Sequence, residues 1–245
     1  MITVTDIIND YISAHSTFTT AEFMEALRAN MPEIGRSTVY KALKRLCKNG
    51  TISRVCRGRF AVSALKASYS YELSNTAKEL ATTILGNFPL VDFQIWELYQ
   101  MNEFVNFLFA RNTIFVDVES MSEEPVFNLL FNKYTHVLLN PNLDEYYKYA
   151  GEETIVVGKL VTEPPPCYGQ YKQVPLEKLL VDLFGRGLSG SLVSRSEYPA
   201  IYEDAFEKYN INEAKMFRYA RRRGSEKAIR EFIQQETSIY AENKL

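Results

Sequence analysis

The stretch Gly35–Leu46 reads Gly-Arg-Ser-Thr-Val-Tyr-Lys-Ala-Leu-Lys-Arg-Leu, and it decides the fold of the first part of the chain. Val39, Leu43 and Leu46 recur at i, i+4 and i+7, the spacing that buries one face of a helix. The remaining side chains supply cations, hydroxyls and a phenol for contacts with DNA: Arg36, Ser37, Thr38, Tyr40, Lys41, Lys44 and Arg45. A major-groove helix needs these groups, because cations bind phosphates and hydroxyls contact base edges. The alternative is an ordinary solvated helix face, and the flanking segments argue against it.

Two further helices are predicted before this stretch. Thr19 is followed by Glu22 three residues later, which is the pattern of a reciprocal capping box at a helix start. Phe18 and Phe23 flank this cap at the positions of a hydrophobic staple. An earlier helix is predicted over residues 4–14 from its spacing of apolar side chains.

A short hairpin is predicted after the basic helix. Gly50 lies where a helix commonly ends in left-handed backbone. Residues 51–55 and 59–62 have the composition of two strands around a turn at Gly58. Three helices followed by a hairpin predict a winged helix-turn-helix, whose wing contacts phosphates beside the groove. The cations on or beside this wing are Arg54, Arg57 and Arg59.

The charges of the chain are unevenly distributed. The first 66 residues hold ten Lys or Arg against five Asp or Glu, a net charge of +5. The other residues hold 18 against 25, a net charge of −7. Between Arg36 and Arg59 there are eight Lys or Arg and no Asp or Glu. The formal net charge of −2 therefore conceals a strongly basic segment, which favours double-stranded DNA as a partner.

The length of 245 residues suits two domains. We predict a winged helix-turn-helix DNA-binding domain over residues 1–66 and a larger domain over 67–245, joined by a Ser- and Tyr-rich segment at 63–76. No apolar run approaches a membrane span and no secretion signal is evident, so we expect a cytoplasmic protein without a membrane partner. Three Cys without metal spacing indicate free thiols.

The larger domain alternates between strand and helix patterns. Strands are predicted at residues 91–96, 113–118, 136–139 and 154–160, and helices at 76–85, 97–110, 123–132, 142–149, 176–184, 196–209, 212–223 and 225–237. This alternation predicts an α+β (mixed α/β) fold for the chain, in which the larger domain has a mixed sheet and a helical tail.

Asp117 and Glu119 are the strongest candidates for catalytic chemistry. They lie two residues apart at a predicted strand end, so their carboxylates share a face, as metal-dependent phosphoryl transfer requires. No third carboxylate is evident beside them, and acidic residues at strand ends are usually only solvated. We therefore predict a protein that is not an enzyme, with no catalytic residue, metal site or cofactor. A metal-dependent nucleotidyltransferase or nuclease using Asp117 and Glu119 is kept as an alternative.

A second cluster of cations lies in the helix predicted at 212–223. Its members are Lys215, Arg218, Arg221 and Arg222, at helical spacing. Cations near a helix C-terminus are favourable without any partner. The same side chains are also suited to an acidic partner or a nucleic-acid backbone. Both interpretations stay open, and these four residues are the candidate partner-binding set.

Three features, in this order, resemble the AbiEi-type antitoxins of type IV toxin–antitoxin systems. They are the N-terminal winged helix and the segments Val174–Leu183 and Met216–Arg223. The segment Val-Pro-Leu-Glu-Lys-Leu-Leu-Val-Asp-Leu is similar to the family's Pro-Glu-Arg-Thr-Leu-Val-Asp-like motif. The segment Met-Phe-Arg-Tyr-Ala-Arg-Arg-Arg is similar to its Leu-x-x-x-Ala-Arg-Arg-like helix. The chain departs from the common form at Leu176 and at Lys178-Leu179, as a divergent branch would.

The resemblance implies two roles. The N-terminal domain would bind operator inverted repeats and repress its own operon, and the C-terminal domain would counter a nucleotidyltransferase-like toxin without a stable complex. Glu177, Lys178 and Asp182 match the family motif, and we interpret them as a polar network between the last strand and its helix. A one-component regulator whose C-terminal domain senses a small ligand is the alternative function.

Overall fold

A computed structural model of the chain describes residues 4–48, 50–62, 66–185 and 187–240, with the side chain of Lys48 excepted. These residues have an α+β fold and divide into two compact units, Met1–Ala67 and Ser68–Leu245. Of the predicted joining segment, residues 63–65 lie outside the described part. None of the described helices has the length and apolar character needed to cross a bilayer.

Where the structure describes it, the first unit contains three helices and a three-stranded antiparallel sheet. In chain order these are α1 (Val4–Ala14), β1 (Thr17–Thr19), α2 (Thr20–Asn30), α3 (Arg36–Lys48), β2 (Ile52–Cys56) and β3 (Arg59–Val62). The sheet has the order β1-β3-β2, so β2 and β3 form a hairpin and β1 pairs with the other edge of β3. This order of elements is that of a winged helix-turn-helix with the β2–β3 hairpin as its wing. The short strand β1 was not predicted.

The core of the first unit contains the apolar side chains that the helical spacing selects. Val39, Leu43 and Leu46 of α3 are buried together with residues of α1 and α2. The rings of Phe18 and Phe23 stack with their centroids 5.2 Å apart, which confirms the predicted staple. This core fixes α3 by one face and leaves its other face to solvent.

A capping box at the start of α2 is a local source of stability. Thr19 Oγ1 accepts a hydrogen bond from the Glu22 amide at 3.2 Å, and Glu22 Oε2 accepts one from the Thr19 amide at 2.7 Å. We expect Thr19→Ala to lower the free energy of unfolding by about 1 kcal/mol, because the Glu22 amide loses its side-chain acceptor. Urea denaturation measures the change. Thr5→Ala, at an exposed position of α1, is the control, and an equal effect of both substitutions would contradict a capping role.

The described residues of the second unit form a four-stranded sheet and eight α-helices. In chain order they are α4 (Asn75–Asn87), β4 (Phe93–Glu97), β5 (Asn112–Val118), α5 (Glu123–Phe131), β6 (Val137–Leu139), α6 (Leu143–Tyr149), β7 (Glu153–Lys159), α7 (Leu176–Leu183), α8 (Leu188–Leu192), α9 (Tyr198–Lys208), α10 (Glu213–Arg222) and α11 (Glu226–Glu236). The sheet order is β4-β5-β7-β6. Strand β4 is antiparallel to β5, whereas β5, β7 and β6 are parallel, so the sheet is mixed.

The predicted helix at 97–110 is wrong. Only a short 3₁₀ helix forms there, Leu98–Glu103, and the chain then runs irregularly to β5. An asparagine side chain competes here with helical hydrogen bonding. Asn102 Oδ1 accepts a hydrogen bond from the Phe109 amide at 2.9 Å, so this amide does not bond to a backbone carbonyl one turn earlier. The side chain of Asn112 also donates to Glu97 Oε1 at 2.6 Å and joins the two ends of this segment. Helix α8 was not predicted, because glycines precede and interrupt its sequence.

The two faces of the sheet are covered by different helices. Ile114, Val116 and Val118 of β5 pack with α4 and α5, whereas Phe115 packs on the other face with α7, α9, α10 and α11. Helix α5 follows β5 on the first face, and α6, through Tyr146, packs on the second face. Asp117 lies two residues after Phe115 and therefore belongs to the second face. The helix that follows β5 therefore packs on one face of the sheet, whereas the helices that follow β6 and β7 pack on the other.

Candidate functional site

The face of α3 opposite the core is exposed and basic. The seven side chains predicted to contact DNA are all exposed: Arg36, Ser37, Thr38, Tyr40, Lys41, Lys44 and Arg45. Ser37, Lys41 and Lys44 are spaced at i, i+4 and i+7 and form the middle of this face. Tyr40 keeps 57% of its surface exposed, although phenol rings usually pack against neighbours. Helix α3 therefore presents cations, hydroxyls and an aromatic ring on one continuous surface.

The wing adds three exposed cations. Arg54 lies on β2, Arg57 at the turn and Arg59 at the start of β3, and all are exposed. The turn contains Gly58 at φ +79°, a left-handed conformation that costs glycine little. The antiparallel register opposes Cys56 to Arg59, which brings the cations on both strands close to the turn. We call the exposed cations of α3 and the wing the basic surface: Arg36, Lys41, Lys44, Arg45, Arg54, Arg57 and Arg59.

The basic surface is not neutralised by ion pairs. In the described part of the chain, the salt bridges join side chains of the second unit, and none includes a cation of the basic surface. Glu22 is the acidic neighbour of Arg59. Hydrogen bonds from Thr19 hold the pKa of the Glu22 carboxyl below its usual range, and the charge of Arg59 adds to that effect. Unpaired like charges repel one another, so this surface is suited to a polyanion.

The candidate partner-binding cations of α10 are only partly available. These residues are Lys215, Arg218, Arg221 and Arg222. Arg221 pairs with Glu226 at 2.7 Å, and Arg222 pairs with Glu163. The first two cations are exposed and take part in no ion pair of the described residues. Two of the four thus have structural partners, and two remain as a candidate surface.

A buried polar network joins the segments that resemble the antitoxin motifs. Lys178 is 1% exposed, and its Nζ lies 2.5 Å from Asp117 Oδ2 and 2.7 Å from Asp182 Oδ2. Burial alone would lower the pKa of Lys178, but the two carboxylates outweigh it and raise that pKa above its ordinary value. Tyr219 donates its hydroxyl to Asp182 Oδ1 at 3.0 Å, and Arg223 Nε lies 3.2 Å from the same oxygen. Two cations and two carboxylates therefore balance in charge.

The network corrects the sequence interpretation of Glu177, Lys178 and Asp182. These three residues were expected to form one polar network between the last strand and its helix. Lys178 instead joins α7 to Asp117 on β5, an inner strand of the sheet. Glu177 points elsewhere and accepts a hydrogen bond from the Asn212 amide at 2.8 Å, at the start of α10.

The arrangement around Asp117 also bears on the catalytic alternative. The Asp117 carboxylate is paired with the Lys178 ammonium, and Glu119 lies beyond the end of β5. Burial raises the pKa of Asp117, while the charge of Lys178 acts in the opposite direction. Among the described residues, no three His, Cys, Asp or Glu side chains are grouped closely enough to hold a metal ion.

A cavity of about 450 Å³ adjoins this network at the carboxyl ends of β5 and β7. Its lining includes Asp117 from β5, Gly158 and Lys159 from β7, Asn140 after β6, and Arg223 after α10. The sequence did not predict a cavity. Polar or small residues lie at or just after the ends of β5, β6 and β7 in the sequence. They indicate a shared site only once the three strands are known to be parallel, because their carboxyl ends then lie at the same edge of the sheet.

The fold and these sites define a class: two-unit α+β proteins in which a winged helix-turn-helix with an unneutralised basic surface precedes a mixed-sheet unit. The chain belongs to a family of unknown function, DUF6577, whose pattern matches residues 38–239. The match includes most of α3, the wing and the α-helices and strands described for the second unit, so the family pattern extends into both units. No curated protein matches the chain.

Proposed function

We propose that the protein is a DNA-binding transcriptional repressor that binds an operator in duplex DNA through α3 and the wing. One observation carries the proposal: the seven cations of the basic surface are exposed and form no ion pair in the described residues. An α-helix fits the major groove of DNA, and the adjoining hairpin reaches the neighbouring backbone. The first two turns of α3 place Ser37, Thr38 and Tyr40 among the cations, where they are suited to base edges.

We further propose that the second unit acts as the antitoxin of a neighbouring nucleotidyltransferase-like toxin. The support is the resemblance of two segments to AbiEi-type motifs, together with their contact through Asp182, Tyr219 and Arg223. The two motif-like segments therefore contribute to one buried network. The exposed pair Lys215 and Arg218 is the candidate surface for an acidic partner. Both roles are those of a cytoplasmic protein.

Growth assays test the antitoxin role. The adjacent reading frame is expressed alone and then together with this protein. Restored growth on co-expression supports the proposal. A neighbouring frame that is harmless alone, or toxicity that the protein does not relieve, would refute the antitoxin role and leave DNA binding to be judged separately.

The salt dependence of operator binding tests the repressor role. A labelled duplex containing the DNA upstream of the gene is titrated with the full chain at several salt concentrations. We expect the logarithm of the binding constant to fall linearly with the logarithm of salt, with a slope of about −0.9 per neutralised phosphate. A shuffled duplex of equal length is the control for specificity. Equal affinity for both duplexes would contradict an operator-specific repressor.

The wing makes a separate prediction. Arg57→Ala is expected to reduce the magnitude of the salt slope by about one, because one phosphate contact is lost. Lys227, which is exposed on α11 of the second unit, provides the control substitution Lys227→Ala with no change in slope. An unchanged slope for Arg57→Ala would mean that the wing does not contact phosphates.

A further inference from the structure

The inner strand of the wing is held from its far side along its whole length. Strand β1 pairs with β3 up to Thr19, which lies opposite Arg59 beside the turn. At the other end of β3, the Val62 amide donates to the Ser16 carbonyl at 2.8 Å. Strand β2 pairs with β3 at the edge of the sheet. The hairpin therefore has a fixed inner strand, β3, and an outer strand, β2.

The tip of the wing is bound by the first residue of α2. The Thr20 amide donates a hydrogen bond to the Gly58 carbonyl at 2.8 Å, and the Thr20 hydroxyl donates to the same oxygen at 3.3 Å. Because Thr20 follows β1 directly, the contact between β1 and β3 continues as far as the turn. A single carbonyl of the turn thus accepts both donors of one residue.

The position of Thr20 in α2 leaves its amide available for this contact. The first N–H groups of a helix have no acceptor within the helix. The capping box of α2 uses the amides of Thr19 and Glu22 and leaves the Thr20 amide without a partner there. The bond to Gly58 therefore satisfies a helix-end donor and fixes the turn of the wing at the same time.

Arg57 is the residue whose position depends on this contact. It precedes Gly58 in the turn, and its side chain is exposed. The ladder between β2 and β3 shifts register between Arg54 and Cys56, so Val55 is an extra residue on the outer strand. A bulge of this kind interrupts the pairing locally, so the outer strand contributes less to holding the turn. The contact from α2 supplies the support on the other side.

We propose that Thr20 is a positioning residue for DNA binding, which holds the wing turn so that Arg57 contacts a backbone phosphate. This role rests on the proposed repressor function. A side chain on a preordered turn loses less conformational freedom on binding than one on a mobile turn, and its contact therefore contributes more to affinity. Thr20 acts through Gly58 and needs no contact with DNA.

Thr20→Pro removes both hydrogen bonds to the wing without removing a charge. Proline is favourable at the first helical position, and Thr19 has the extended backbone, φ −95° and ψ 161°, that a following proline requires. We therefore expect α2 to form as before. The operator affinity of the full chain should fall by about fivefold, because the turn is no longer preordered. The magnitude of the salt slope should fall by about one, as for Arg57→Ala, because one phosphate contact is lost.

Asn75→Pro is the matched control. Asn75 is exposed at the first position of α4 in the second unit, and the side chain of Ser74 caps that helix as Thr19 caps α2. We expect Asn75→Pro to change neither the affinity nor the slope. Adding Thr20→Pro to Arg57→Ala should weaken binding by less than about a further twofold, because both substitutions remove the same contact. Full additivity, or an unchanged slope in Thr20→Pro, would overturn the positioning role.

Hydrogen exchange of the chain without DNA tests the contact with the wing separately. We expect the amides of residues 56–61 to exchange about tenfold faster in Thr20→Pro than in the parent chain, because the wing opens more often. Asn75→Pro should leave their exchange unchanged. Operator binding by a parent chain whose wing exchange is unaffected by Thr20→Pro refutes the positioning role alone. Absence of operator binding by the parent chain refutes the repressor function, and the positioning role with it.

Thr20→Val decides the matter if Thr20→Pro does not fold. Valine has the shape of threonine and loses only the hydroxyl bond to Gly58. Changes of about twofold in wing exchange and in operator affinity would support the proposal, because the amide bond remains. Exchange and affinity equal to those of the parent chain would then refute it.

Discussion

Replacing Lys41 and Lys44 together by glutamate is expected to abolish operator binding and leave the fold intact. Both side chains are exposed on α3, opposite its buried face, so the substitutions remove no core contact. Each replaces an attraction to phosphate by a repulsion. We expect the affinity at physiological salt to fall by at least about 100-fold, measured by fluorescence anisotropy with the labelled duplex.

The control for this prediction keeps the change in net charge constant. Lys148→Glu with Lys227→Glu alters the charge by the same amount at exposed positions of the second unit. We expect its operator affinity to stay within about twofold, because neither substitution alters the basic surface. Equal losses in both double variants would mean that only overall charge matters. Full affinity in the Lys41 and Lys44 variant would show that α3 is not part of the DNA interface.

The first unit could be predicted from sequence because its signals are local. The period of Val39, Leu43 and Leu46 predicts a buried face, and its complement is exposed in the structure. The Thr19–Glu22 box is complete within four residues, and the helix it starts was predicted at the right position. The same local signals do not identify a binding partner, because exposure and charge are properties of the protein surface alone.

The second unit was predictable in outline only. Alternation of apolar residues located its strands, but the order β4-β5-β7-β6 depends on contacts between distant segments. Asp117 and Lys178 are 61 positions apart, and nothing near either residue in sequence indicates that they pair. The failed helix at 97–110 has the same cause, because the partners of Asn102 and Asn112 exist only in the folded chain. Sites that combine residues from several strand ends are therefore the hardest to predict from sequence.

Lys178→Met is expected to be the most destabilising substitution in the second unit. It removes the cation between Asp117 and Asp182 and leaves two buried carboxylates without their shared partner. Breaking a buried pair from one side costs about 3–5 kcal/mol, which urea denaturation detects. The exposed pair of Lys208 and Asp204, also at i, i+4, supplies the control Lys208→Met, with an expected cost below about 1 kcal/mol.

The pH dependence of the Lys178→Met variant separates a buried charge from lost packing. Burial raises the pKa of Asp117, and the substitution removes the Lys178 charge that opposes this rise. A carboxyl whose folded pKa exceeds its unfolded pKa stabilises the fold below the unfolded pKa, and that contribution is lost as pH rises through the folded pKa. The deficit of the variant relative to the parent chain should therefore shrink from pH 8 to about pH 5. Adding Asp117→Asn and Asp182→Asn should recover part of the stability at pH 8 and flatten this dependence. A deficit that is constant with pH would instead assign the loss to packing, and the network would not be held together by charge.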